Sequence, residues 1–219
     1  MQKYGFTDAR DVLERASARE TAARVAAGTL AKKLLAPLGV RIVSHVIQMG
    51  SVRAKADSRP APDDLATVDA SAVRCFDAPS EAAMIAEIEA AAKDGDSLGG
   101  ICEVLAYGMP VGLGSHVHWD RKLDALLAQA IMSIQAVKGV EIGDGFNVVH
   151  QRGSEHGDEL TPEGFASNHA GGVLGGISTG QDLVVRLAIK PTSSIRLERQ
   201  SIDRSGQAVT VQTLGRHDP

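Results

Sequence analysis

The sequence is poor in aromatic residues: one tryptophan, two tyrosines and four phenylalanines, 3% of its 219 residues. That excludes a platform of stacked aromatic rings for nucleic-acid bases. A formal net charge of −4 points the same way, since neither a polynucleotide nor an anionic membrane surface attracts such a chain. The two cysteines, Cys75 and Cys102, fit neither a disulfide framework nor a zinc pattern. No apolar run approaches the ~20 residues of a membrane-spanning helix. No basic segment with an apolar stretch behind it opens the chain as an export signal would. A Rossmann fingerprint is missing, which disfavours an NAD(P)-binding domain, and there is no P-loop. The expectation is a single domain over residues 1–219 in a soluble, reducing, cytoplasmic setting.

What is present reads as mixed secondary structure. Ser17 followed by Glu20 forms a capping box and predicts a helix from Ser17 to about residue 36. Along it Ala22, Val25, Ala26, Thr29, Leu30 and Lys33 make an Ala-rich stripe suited to close packing, and Pro37 and Gly39 end it. Residues 40–49 read as a strand, and the polar stretch 54–72 as a long surface loop. A second helix is expected over 80–93, capped by Ser80, with Met84, Ile85 and Ile88 inward. A strand follows near 99–107. A third helix is expected over 121–137, capped by Asp120. Gly139 and Asp144-Gly145 bracket a short strand, and 150–169 reads as a polar, aperiodic segment. Residues 182–190 form a β-branched strand, and a hairpin of 195–203 with 207–214 closes the pattern. Interspersed elements with an antiparallel hairpin predict an α+β fold.

Four places could carry chemistry. Arg15 and Arg19 flank the helix start at Ser17, where free N–H groups and two guanidiniums suit a phosphate or carboxylate; the alternative is a plain cap with solvated arginines. The run Gly171-Gly172-Val173-Leu174-Gly175-Gly176 allows close backbone approach by a flat ligand, or is only a tight turn. Lys190-Pro191-Thr192-Ser193-Ser194 offers an ammonium, N–H groups and three hydroxyls as a phosphate cradle, or is a polar strand exit. Arg216-His217-Asp218 sets an anion binder, a base and an acid together, or is a charged tail. His116 and His118 look like a ligand pair, with His150 and His156 in the polar segment, but no third ligand has a metal-site spacing, so no metal is expected. Cys102 falls in an apolar strand and reads as core.

Taken together, these blocks resemble chorismate synthase. The motifs are Arg15–Gly28, the Gly-Asp-Ser-x-Gly turn at 95–99, Gly-x-Pro-x-Gly-Leu-Gly at 108–114 and the block 132–146. They continue through 167–178 and 190–195 to Gly215-Arg216-His217-Asp218-Pro219. The resemblance implies a β-α-β sandwich, with helices packed between antiparallel sheets and those at 17–36 and 121–137 adjacent in the buried layer, and a homotetramer. It also implies a lyase that makes chorismate by 1,4-elimination of phosphate from 5-enolpyruvylshikimate 3-phosphate. That reaction requires reduced FMN without net redox change, the flavin transiently lending electron density to the substrate. NADP enters only as the reductant some family members use for their flavin. By motif, FMN is expected at Arg15, Ala16, Ser17, Gln135, Ala136, Gly175, Lys190, Pro191, Thr192, Ser193, Ser194 and Arg216. Substrate is expected at Ser17, Arg19 and Arg216, and Asp218 near flavin N5 as the proton-handling carboxylate.

The chain matches a central section of the family. Nothing corresponds to the N-terminal portion with its two functional histidines and arginine-rich loop, or to the stretch beyond Pro219. These residues alone are therefore expected to be inactive and to expose core surface. The alternative of a different class is a non-catalytic flavin-binding or self-associating module.

Overall fold

The structure is a computed structural model and describes residues 3–8, 10–16 and 18–213; for 13–15, 18 and 19 it describes the backbone alone. Helix α1 spans Arg10–Ala16 and α2 Ala18–Leu35. The chain is therefore already helical before the expected start at Ser17, and Ser17 lies outside the described residues. Asp8 explains the earlier start, its carboxylate accepting the Arg10 N–H at 2.9 Å as a cap does. A short 3₁₀ turn with Pro37 follows α2, and Gly39 ends it in the left-handed region at φ 84°.

Strands β1 (Arg41–Met49) and β2 (Val52–Arg53) come next. The stretch read as a long loop instead folds into a 3₁₀ turn at Pro62–Asp64 and helix α3, Leu65–Ala70. Its polar residues mislead because Val68, fully buried, is the one residue of α3 that the core takes in. Helix α4 spans Ala78–Asp94, two residues earlier than predicted. Asp77 is its N-cap and accepts a 2.6 Å hydrogen bond from Ser80, so Ser80 supports the cap rather than being it.

Strand β3 is Gly100–Tyr107 and helix α5 is Leu123–Met132. Asp120 sits in a separate 3₁₀ turn, and Lys122 is the α5 N-cap. The helix ends short of the expected 137, a turn over 133–136 intervenes, and strand β4 (Val137–Ile142) includes Gly139. The polar segment contains α6 (Gly153–His156) and the small hairpin β5 (Leu160–Thr161) with β6 (Gly164–Phe165). Then come β7 (Val173–Leu174), β8 (Ile177–Ser178), β9 (Leu183–Ile189), β10 (Arg199–Ile202) and β11 (Ala208–Val211).

Five strands hydrogen-bond in the order β2-β1-β3-β9-β4, and three antiparallel pairs stand apart as β5-β6, β7-β8 and β10-β11. The class is α+β, as expected. Contacts divide the chain into two compact units, Met1–Val43 with Val104–Leu187 and Ser44–Glu103 with Ala188–Pro219.

In the first unit the core gathers Ala106, Val173 and Leu183, with Ile42, Met109, Leu123 and Leu127 packed against it. In β9 the run Leu183, Val184 and Val185 is buried without alternation, the mark of a strand covered on both faces. Helix α2 reaches the turn that follows α5, where Arg24 hydrogen-bonds Ser133 at 2.9 Å. The burial expected for both helices is not found. Val25, Leu30 and Leu34 are 65%, 70% and 75% exposed, and α5 has no fully buried residue. Apolar residues occur all round α2, so its period alone does not select a buried face.

In the second unit Ala54, Cys75 and Met84 form the core, joined by Val46, Met49, Val52 and Val73. Along β1 of this unit, His45 and Ile47 point inward at alternate positions.

Candidate functional site

The first unit holds two of the expected cofactor blocks. Helix α5 ends at Met132, and Ser133 closes it with its N–H on the Gln129 carbonyl at 3.1 Å and its hydroxyl on the Ala130 carbonyl at 2.6 Å. The corner that leads to β4 is tight. Val137 N–H bonds the Ile134 carbonyl at 3.2 Å, and Ala136 takes φ 67°, an uncommon conformation for a residue with a Cβ. Helix α2 braces this corner. The Arg24 guanidinium donates to the Ser133 hydroxyl and carbonyl at 2.9 and 3.2 Å, and Glu20 holds Arg24 at 2.9 Å. The Thr21 hydroxyl donates to Gln135 Oε1 at 3.3 Å. The helix-start motif and the Gln135-Ala136 motif, far apart in sequence, are thus neighbours. Gln135 and Ala136 are half-buried, and Ala16 is exposed at the end of α1.

Strands β7 and β8 make a two-residue hairpin with Gly175 and Gly176 at φ 60° and 85°, the turn type that needs left-handed backbone twice. A Cβ on Gly176 would lie 2.6 Å from Lys122, whereas one on Gly175 would meet nothing within 4 Å. Gly176 is therefore fixed by packing, while Gly175 presents open backbone. The hairpin is anchored by Ser178, which is 1% exposed. Its hydroxyl donates to the Pro110 carbonyl at 2.6 Å and accepts the Leu113 N–H at 2.9 Å. This joins the 108–114 block to the glycine-rich block. Gly176 carbonyl also accepts the Leu123 N–H at 2.9 Å, seating the hairpin on the first turn of α5.

In the second unit Lys190, Pro191, Thr192 and Ser193 are exposed beyond β9, Ser194 is half-buried, and Ile195 anchors the segment in the core. The 95–99 turn supports it: the Ser97 hydroxyl donates to the Thr192 carbonyl at 2.6 Å, and a Cβ on Gly99 would lie 2.7 Å from the Ile189 carbonyl. Nothing engages the Lys190 ammonium among the described residues. Arg216 and Asp218 lie outside them, as does Ser17, and the side chains of Arg15 and Arg19 are not described.

Two polar clusters escape the sequence motifs. In the second unit Glu103 is shared by His45 Nε2 at 3.2 Å and Arg59 Nε at 3.1 Å, with His45 and Glu103 both buried. In the first unit Asp144 accepts from Gln151 and His169, and Asp158 accepts from Ser167 and from the backbone of His169 and Ala170. Burial raises the pKa of each of these aspartates, but the hydrogen bonds outweigh it and hold both carboxyls below the ordinary range. Long separations hide these pairings from local spacing.

The remaining candidates are plain. His118 hydrogen-bonds Asp120 at 2.8 Å on the surface. Among the described residues no group of three or more His, Cys, Asp or Glu is placed to hold a metal, and no helix is long and apolar enough to cross a membrane. Burial pushes the Cys102 thiol up to about 11, against the poised thiolate a nucleophile needs. An apolar cleft of about 330 Å³ beside α5, lined by Leu38, Val40, Ile42, Leu127 and Leu183 among others, offers no polar group for chemistry.

A half-buried helix-to-strand corner and a pinned glycine hairpin thus lie in the first unit, and an exposed Lys-Pro-Thr-Ser turn in the second. The comparisons with known proteins agree. The family model for chorismate synthase matches residues 1–219. The chorismate synthase of Saccharopolyspora erythraea is 58% identical over 210 residues, 93% of this chain and 52% of that protein. That of Thermobifida fusca is 58% identical over 211 residues, 94% of this chain and 54% of the relative. A crystal structure of chorismate synthase superposes with a TM-score of 0.82 at 43% identity, covering 88% of this chain and 61% of that one. The chain belongs to the chorismate synthase family. It spans about half the length of the curated relatives it matches.

Proposed function

We propose that the polypeptide to which these residues belong is a lyase of aromatic amino-acid biosynthesis. It converts 5-enolpyruvylshikimate 3-phosphate to chorismate and phosphate by 1,4-elimination, breaking one C–O and one C–H bond with no net redox change. It uses reduced FMN and acts in the cytoplasm as a homotetramer; NADP reductant would serve only to reduce the flavin. The observation that carries the reading is the corner at Ser133–Ala136 braced by Thr21 and Arg24, because it supports joint use of two family cofactor motifs. When bound, reduced FMN lends electron density that eases phosphate departure. The residues assigned to hold it are Arg15, Ala16, Ser17, Gln135, Ala136 and Gly175, together with Lys190–Ser194 and Arg216. The donors suit the group: an ammonium that nothing engages among the described residues and exposed hydroxyls for its phosphate, an open glycine and a half-buried amide for its ring. Ser17, Arg19 and Arg216 bind substrate anions, and Asp218 handles the ring proton.

A second reading, for residues 1–219 by themselves, is a flavin-binding or self-associating module without turnover. Anaerobic titration with reduced FMN and a chorismate-formation assay separate the two. The 219-residue chain is expected to bind flavin and not turn over. In a polypeptide extended to the relatives' length, Asp218→Ala is expected to lower turnover by roughly 10²–10⁴-fold with ligand dissociation constants nearly unchanged. Arg216→Ala is expected to raise those constants. No chorismate from the extended polypeptide would sink the lyase reading, and normal turnover by Asp218→Ala the assignment of the proton step.

A further inference from the structure

In the first unit, His156 on α6 and His169 in the loop before β7 stand side by side, with ring centres 5.8 Å apart and planes inclined by 35°. One chain of hydrogen bonds fixes both. Asp144 Oδ2 lies 2.6 Å from His169 Nδ1 and accepts the Gln151 amide N–H at 2.6 Å. The carboxylate thereby forces the Gln151 amide to turn its oxygen outward, and that oxygen sits 2.7 Å from His156 Nδ1. Neither acceptor has a proton to give, so in its neutral form each imidazole carries its hydrogen on Nδ1 and keeps a lone pair on Nε2. Among the described residues no hydrogen bond engages either Nε2, and both rings are partly open to solvent. The Asp158 carboxylate locks the loop itself through the Ser167 hydroxyl and the N–H groups of His169 and Ala170.

We propose that His156 and His169 form a binding site for a divalent transition-metal ion of borderline softness, Zn²⁺, Ni²⁺, Co²⁺ or Cu²⁺, with water completing the coordination. With metal–nitrogen bonds of about 2.1 Å, two imidazoles on one tetrahedral ion stand with centres roughly 5–6 Å apart. The observed spacing falls in that range. An acceptor on the far nitrogen of each ring is the usual support of a metal-ligating histidine, fixing its tautomer and raising its basicity. Two protein ligands make an open site, so exchange is expected rather than the permanence of a four-ligand centre.

Zn²⁺ added to the 219-residue chain, followed by calorimetry, tests this. One equivalent is expected to bind, to be lost in His156→Ala and in His169→Ala, and to persist when His116 and His118 are both replaced by alanine. Asp144→Asn is expected to weaken binding by roughly 10–100-fold, with the far-UV circular dichroism checked for each variant. Nitrogen NMR of the unsubstituted protein needs no mutation: the Nε2 signals of these two histidines should move on Zn²⁺ addition. No stoichiometric binding, binding that survives both alanine variants, or unmoved Nε2 signals would each overturn the site. None of these readouts involves flavin or turnover, so the lyase reading stands or falls separately.

Discussion

Arg24 holds Ser133 at two atoms, its guanidinium reaching both the hydroxyl at 2.9 Å and the carbonyl at 3.2 Å across 109 positions of sequence. This contact joins the helix that carries one family motif to the corner that carries another. Arg24→Ala should therefore cost about 1–2 kcal/mol of stability in urea unfolding. It should also weaken FMN binding roughly tenfold per 1.4 kcal/mol transmitted to the Gln135-Ala136 corner. Unchanged flavin affinity in a destabilised variant would show that the brace is structural alone.

His45 and Arg59 meet on Glu103, and the two contacts differ in worth. His45 and Glu103 are buried, while the Arg59 side chain is 40% exposed. Glu103→Gln should cost about 1–3 kcal/mol, because a buried imidazole loses its charged partner. Arg59→Ala should cost less than about 1 kcal/mol, its ion pair being screened by solvent. Equal costs in denaturant unfolding would contradict that ordering.

Lys190 stands exposed, and among the described residues nothing engages its ammonium. If the 190–194 turn cradles the FMN phosphate, Lys190→Ala in a flavin-competent polypeptide should weaken flavin binding by about 1.5–3 kcal/mol. Substrate affinity measured at saturating flavin should change less. Equal flavin affinity in parent and variant would return Lys190 to a solvated strand exit.

Burial raises the Cys102 thiol from the ordinary 9.0 to about 11. The folded state therefore holds its proton more tightly than the unfolded state. Stability from this group is complete below the ordinary value and declines as pH rises from there toward the folded value. Unfolding of the parent should become easier across that alkaline window relative to Cys102→Ala, and alkylation of Cys102 at about pH 8 should be far slower than in the unfolded chain. Alkylation at the unfolded rate would exclude a half-buried, protonated thiol.

The α+β class, the strands at 41–49, 100–107 and 183–189, the closing hairpin and the family itself are legible in the sequence. β-branched runs, turn residues and long ordered motifs are local signals that survive without a partner. Helix boundaries were less so. The capping box at Ser17 competes with Asp8, and Asp120 belongs to a separate turn before α5. Local spacing cannot rank such competing caps.

Tertiary structure alone decided the rest. It brought Thr21 to Gln135, gathered His45 and Arg59 on one carboxylate and set His156 against His169, pairings separated by 114, 58, 44 and 13 positions respectively when measured to the partner that joins them, the last by direct count. It also left Val25, Leu30 and Leu34 of α2 open, since apolar residues lie all round that helix and its spacing singles out no face. A periodic pattern states that a face can be buried, whereas which surface covers it depends on chain arriving from elsewhere. Hydrogen bonds between distant side chains have no sequence period at all, because their geometry is fixed only once the sheet and its flanking helices set the distances.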